Sequence, residues 1–323
     1  MDRPGAVSGS AGETSLHRLI RALAAFAREV PDGPWCVALS GGPDSLALAA
    51  AAARSRPTAA LIVDHRLQPG SAGVASNAAE QASRLGCESA QVLTVSVGAD
   101  GGPEAAARAA RYAALEQARA GRPVLLGHTL DDQAETVLLG LARGSGPRSI
   151  AGMRPWAPPW GRPLLGLRRA DTEAACAELG LDPWRDPHNS DPRFTRVRLR
   201  DEVLPLLEDV LGGGVAAALA RTATALQEDG DALDALAETV DVEDQPQVTV
   251  FFGLPTAVRR RALRRWLLRC GAHRLTDEQL RAVDALVTDW RGQGGVAVGG
   301  AGPRERLFAE RRDGRLRLRI EPV

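Results

Sequence analysis

Lysine is absent from this 323-residue chain, and all forty basic residues are arginine. A Walker-A loop needs a lysine to reach the nucleotide phosphates, so an ordinary P-loop nucleotidase is excluded. Cysteine is scarce and dispersed: Cys36, Cys87, Cys176 and Cys270 form no CxxC pair. That spacing speaks against a metal site or redox pair and for reduced structural thiols in a cytoplasmic protein. No run of eighteen apolar residues occurs, so no membrane span is expected. Residues 1–14 are small and polar and lack the apolar stretch of a secretory signal, which predicts a flexible leader.

Net charge is zero, but the charge is segregated. Residues 201–250 carry twelve acids and one arginine, whereas residues 251–274 carry seven arginines and no acid. A neutral total therefore does not exclude a polyanionic partner.

Apolar residues at helical spacing (Leu16, Leu19, Ile20, Leu23, Phe26) open the fold. Apolar runs at 35–39, 59–63, 92–97 and 123–127 read as strands, with helical stretches between several of them. That alternation predicts an α/β fold with a doubly wound parallel sheet, whose ligand sits beyond the carboxyl ends of the strands. Glycine and proline interrupt 143–163, which reads as a long loop. Residues 15–211 are expected to form the catalytic domain and 212–323 a smaller, largely helical accessory domain. A final hairpin is expected to turn at Asp313-Gly314.

Polar motifs fall at strand ends. Ser40-Gly41-Gly42-Pro43-Asp44-Ser45 follows a strand and opens a helix. Its glycines let backbone N–H groups approach a polyanion at the positive end of that helix. Asp44 would repel phosphate unless Mg²⁺ mediates, which hints at a metal-nucleotide. A plain strand-to-helix turn with an Asp/Ser cap is the blander alternative. Val63-Asp64-His65 ends the second strand. Glu104, Arg108, Arg111 and Tyr112 share one helix, where an intrahelical ion pair is the ordinary reading. In His128-Thr129-Leu130-Asp131-Asp132-Gln133-Ala134-Glu135-Thr136, three carboxylates and a histidine need a cation near them. Mg²⁺ and an ammonium group both suit. Arg193, Arg196, Arg198 and Arg200 beside Phe194 fit a phosphate-tracking surface, as do Arg260, Arg261, Arg264 and Arg265.

The strand–SGGxDS–helix unit resembles the pyrophosphate loop of the PP-loop ATP pyrophosphatases. The DDQAET string, the Glu104–Tyr112 helix, Arg162-Pro163-Leu164-Leu165 and Arg185–Ser190 resemble the lysidine synthetases within that superfamily, over residues 35–207. Valine stands at 197, where that family commonly has asparagine. The chain's length suggests the compact variety with one accessory domain.

The resemblance implies ATP-dependent ligation of lysine to C2 of cytidine 34 in the CAU anticodon of tRNA(Ile), through an adenylated cytidine. It implies ATP on Ser40, Gly41, Gly42, Pro43, Asp44, Ser45, Val63, His65 and His128, and catalysis by Asp44, Arg108, Asp131 and Asp132. Mg²⁺ would lie on Asp44 and Asp131, and free L-lysine on Asp132 and Glu135. The two arginine groups would contact tRNA, and a homodimer stays open. A tRNA thiolase of the superfamily would want a CxxC pair. A GMP- or NAD-type synthetase would want a glutaminase partner and would leave the arginine-rich third unexplained. A non-catalytic RNA-binding nucleotide sensor would have no use for the clustered acids.

Overall fold

A computed structural model describes residues 13–66, 70–98, 102–143, 146–300 and 305–322, without the side chains of residues 103, 104, 143, 188 and 189. The leader expected at 1–14 lies almost wholly outside them. The chain divides into two compact units: residues 1–138 with 152–221, and residues 139–151 with 222–323.

The first unit begins α1 (Ser15–Phe26), β1 (Trp35–Ala38), α2 (Pro43–Ser55), β2 (Thr58–Asp64), α3 (Ser71–Arg84), β3 (Ser89–Thr94), α4 (Pro103–Ala118), β4 (Val124–Leu125) and α5 (Leu130–Arg143). The short α6 (Pro147–Ile150) belongs to the second unit; the first resumes with β5 (Trp156–Ala157), β6 (Trp160–Gly161), α7 (Arg169–Glu178), α8 (Thr195–Arg198), α9 (Leu204–Val210) and the start of α10 (Val215–Glu238), which continues into the second. The sheet order is β3-β2-β1-β4-β6-β5, parallel except for the β5–β6 pair.

Strand alternation builds a core on each face of this sheet. Trp35 and Val37 of β1 pack with Leu46, Leu48 and Ala49 of α2 on one face. Cys36 turns to the other face, with Leu61, Leu115 and Val124. Leu46 and Leu48 are fully buried, and truncating either to alanine should cost about 2–5 kcal/mol. The doubly wound expectation holds. The two-residue strands β5 and β6 fall where a loop was expected: Trp156 pairs with Gly161 and Ala157 with Trp160 inside a Pro/Gly-rich stretch.

The second unit holds α11 (Thr256–Arg269), α12 (Asp277–Thr288) and the antiparallel sheet of β7 (Val296–Val298), β8 (Glu305–Arg312) and β9 (Arg315–Pro322), in that order. Phe251, Leu263, Trp266, Leu286 and Leu316 are buried in its core. The hairpin turns at Asp313 (φ 52°) and Gly314 (φ 72°), the two left-handed positions of a tight turn. No single helix among the described residues is long and apolar enough to cross a membrane.

Candidate active site

The chain winds outward from β1 to β3 and returns to β4 on the other side of β1. A crevice therefore opens at the carboxyl ends of β1 and β4. The loop after β1 and the start of α5 border it.

In the first loop Gly41 adopts φ +86°, which an L side chain rarely does, and its carbonyl accepts from Trp184 N at 2.9 Å. Gly42 caps α2 with no side-chain cap and Pro43 follows at the helix start, so the first-turn N–H groups are left for an anion. The Ser40 and Ser45 hydroxyls lie 3.1 Å apart, and Ser45 donates to the Gly42 carbonyl at 3.0 Å. At Gly127, a Cβ would lie 3.0 Å from the Asp44 carbonyl and Ser45 nitrogen, so the β4 loop presses directly on this turn.

Asp44 accepts from the Thr172 hydroxyl and lies 3.5 Å from Arg169 Nε. Burial pushes its pKa up to about 6, against the pull of Thr172 and Arg169. Asp131 accepts from Arg168 Nε at 3.1 Å and from the Arg169 backbone N–H at 2.7 Å. Asp132 Oδ2 accepts from Thr129 N at 2.8 Å, and its Oδ1 from Arg169 Nη2 at 2.9 Å. Burial alone would raise Asp132; Arg169, Thr129 and His128 outweigh it and hold the carboxyl below its ordinary value. Glu135 is fully buried with Oε1 2.8 Å from Arg200 Nε, and burial raises its pKa. Burial pushes His128 down to about 4, so it is a neutral imidazole near pH 7.

The remaining residues singled out in the first unit divide. Arg108 donates to the Tyr112 hydroxyl at 3.1 Å and lies over its ring, while Arg111 reaches His65 Nε2 at 3.5 Å. The Glu104–Arg108 pairing lies outside the described side chains. Val63 sits next to last in β2. Arg193 and Arg198 are exposed and pair with Asp191 and Glu202. Arg196 and Arg200, four apart across a π-helical turn (Leu199–Val203), both turn onto Glu135. The alternating arginines are thus two faces of a helix, and one of them belongs to the acidic pocket.

In the second unit, Arg259 and Arg260 close on the buried Asp284 at 2.6 and 2.8 Å. Arg265 donates to the Val240 carbonyl. Arg261 and Arg148 share Asp234, and Arg264 faces both Arg148 and Asp234. The α11 run is therefore not one uniform basic stripe.

Arg168, Arg169 and Thr172 escaped the sequence reading, although the former two supply the cations the clustered acids demand. The RR pair after Leu167 is the signal that could have found them. Among the described residues, no three His, Cys, Asp or Glu groups converge as a ready metal site. Burial pushes the Cys87 and Cys176 thiols up to about 11 and also raises Cys36 and Cys270, which suits inert thiols.

A PP-loop domain signature matches residues 15–207, and a TilS substrate-binding domain signature matches 247–317. The tRNA(Ile)-lysidine synthase of Mycolicibacterium paratuberculosis is 65% identical over an alignment of 329 positions, covering 100% of both chains. This chain belongs to the tRNA(Ile)-lysidine synthase family. The Rhodococcus erythropolis member is 66% identical over 290 residues, covering 88% of this chain and 89% of its own. Among solved structures, the U34-tRNA thiolase NcsA from Methanococcus maripaludis, with its [4Fe-4S] cluster, superposes with a TM-score of 0.54 at 17% identity. That match covers 66% of this chain and 80% of the thiolase, and shows a shared fold.

Proposed function

We propose that the chain is a ligase that uses ATP to join free L-lysine to C2 of cytidine 34 in the CAU anticodon of tRNA(Ile), forming lysidine in the cytoplasm. The observation that carries this reading is the reach of Arg169. Its guanidinium spans from Asp44, on the phosphate-binding turn, to Asp132 in the acidic pocket. An activated phosphate ester and an attacking amine can therefore meet in one crevice.

The cytidine C2 oxygen attacks the α-phosphate, and pyrophosphate leaves on the Ser40–Ser45 turn. The first-turn N–H groups of α2 and Arg108 offset its charge. The lysine amine then attacks C2 and displaces AMP. That amine must shed a proton first. Asp132, held ionised, suits the holding of the ammonium, and Glu135, raised by burial, is the better proton acceptor.

Mg²⁺ would bring positive charge to the phosphates. Asp44 fits it, because a cation beside this carboxylate would offset the burial that disfavours its charged form. Asp131 would have to exchange its bonds to Arg168 and Arg169 to act as a second ligand. We assign the accessory domain, together with Arg193 and Arg198, to tRNA contact.

ATP–pyrophosphate exchange tests the first step. Exchange that appears only with the CAU tRNA(Ile) supports the reading, whereas exchange without tRNA points to adenylation of a small molecule.

A further inference from the structure

In the crevice the carboxylates of Asp44, Asp131, Asp132 and Glu135 meet the guanidinium groups of Arg168, Arg169, Arg196 and Arg200. Charge is thus balanced within the chain's own side chains. A substrate ammonium entering this set adds a fifth cation to four acids that four guanidinium groups already balance. Arg169 reaches three of the four acids: Nε lies 3.5 Å from Asp44, and Nη2 lies 2.9 Å from Asp132 and 3.7 Å from Glu135. It therefore stands on the acceptors an ammonium would use. Glu135 Oε2 is buried there without a hydrogen-bond partner, with only the longer ion pair to Arg196 Nη1 at 3.7 Å, so its hydrogen-bonding capacity is open to an ammonium.

We infer that Arg169 is a positioning residue that couples the nucleotide and lysine sites. It rests on Asp132 and Glu135 until phosphates arriving beside Asp44 draw its guanidinium away and free those acids for the ammonium. The inference builds on the proposed use of ATP and lysine. A guanidinium suits the exchange, since its fork binds carboxylate and phosphate oxygens alike. Coupling of this kind is reciprocal, so each ligand should tighten the other.

The test is lysine affinity by calorimetry on the full chain, with and without α,β-methylene-ATP and Mg²⁺. The nucleotide should tighten lysine binding about tenfold, a usual size for coupling between sites. Arg169→Gln should tighten lysine binding to the nucleotide-free protein and bring the ratio close to one. Arg169→Lys keeps the charge but cannot bridge Asp44 and Asp132 together; it guards against misfolding of R169Q and should also lower the ratio. Wild-type protein that binds both ligands without coupling overturns the inference and leaves the proposed function standing. An unchanged ratio in the folded variants does the same. Wild-type protein that binds neither ligand overturns the function, and the inference with it.

Discussion

The Thr172 hydroxyl donates to the Asp44 carboxylate, fastening α7 to the start of α2 across 128 residues of sequence. Arg168 and Arg169 begin the same helix and hold Asp131 and Asp132 of α5. The Ser40–Ser45 turn and the acid cluster of α5 are thus both tied to one element, α7.

Asp44→Ala removes the acid that fits the metal-nucleotide and leaves every proposed tRNA contact in place. Adenylation should fall at least about a hundredfold, comparable to losing a preorganised electrostatic group. Filter binding of tRNA should stay within about twofold of wild type, since binding loss tracks lost phosphate contacts. Parallel loss of both would separate Asp44 from the nucleotide.

The pH profile follows from the raised pKa of Asp44. The carboxylate is ionised above about 6 and protonated below, so kcat/KM for ATP should fall as pH drops through that value. The stability effect has the opposite sign. The folded state binds this proton more tightly than the unfolded chain, so Asp44 costs stability as pH rises from the ordinary carboxylate range to about 6. Thr172→Val removes a donor that favours the charged form and should move the acid limb to higher pH, while Thr172→Ser should restore it. A limb that stays put in the valine variant would detach it from Asp44.

Gly127→Ala places a methyl group 3.0 Å from the Asp44 carbonyl and Ser45 nitrogen. Backbone must yield, and overpacking of this kind costs about 1–3 kcal/mol. The KM for ATP should rise roughly tenfold, the equivalent of about 1.4 kcal/mol, with tRNA affinity unchanged. An unaffected KM would mean the turn adapts freely.

The loop and pocket motifs were legible because their chemistry is local. Gly41 and Gly42 mark a turn, Asp131 and Asp132 a helix start, and both fall at the carboxyl ends of strands. Arg169 and Thr172 were not, because their partners are supplied by α2 and α5, far away in sequence. The alternation of Arg196, Arg198 and Arg200 suggested one surface. Helical geometry with a π turn sends Arg196 and Arg200 inward and leaves Arg198 with Glu202. The strands β5 and β6 were hidden because two residues carry no period to read.

The arginines of α11 should separate by role. Asp284 is only 3% exposed, and Asp284→Ala would strand Arg259 and Arg260, costing about 3–5 kcal/mol in urea unfolding. Arg264→Gln should leave stability nearly unchanged and lower the slope of tRNA affinity against salt by roughly 0.7 to 0.9. A stable D284A protein, or an unchanged slope in R264Q, would reverse those assignments.

Lysine transfer can be measured by incubating the purified protein with ATP, Mg²⁺, radiolabelled lysine and a tRNA(Ile) transcript bearing CAU. ATP-dependent label should appear in the tRNA, located at cytidine 34 by nuclease mapping and absent from the elongator methionine tRNA with the same anticodon. Active, folded protein that binds ATP and this tRNA yet transfers no lysine to cytidine 34 would contradict the proposed function.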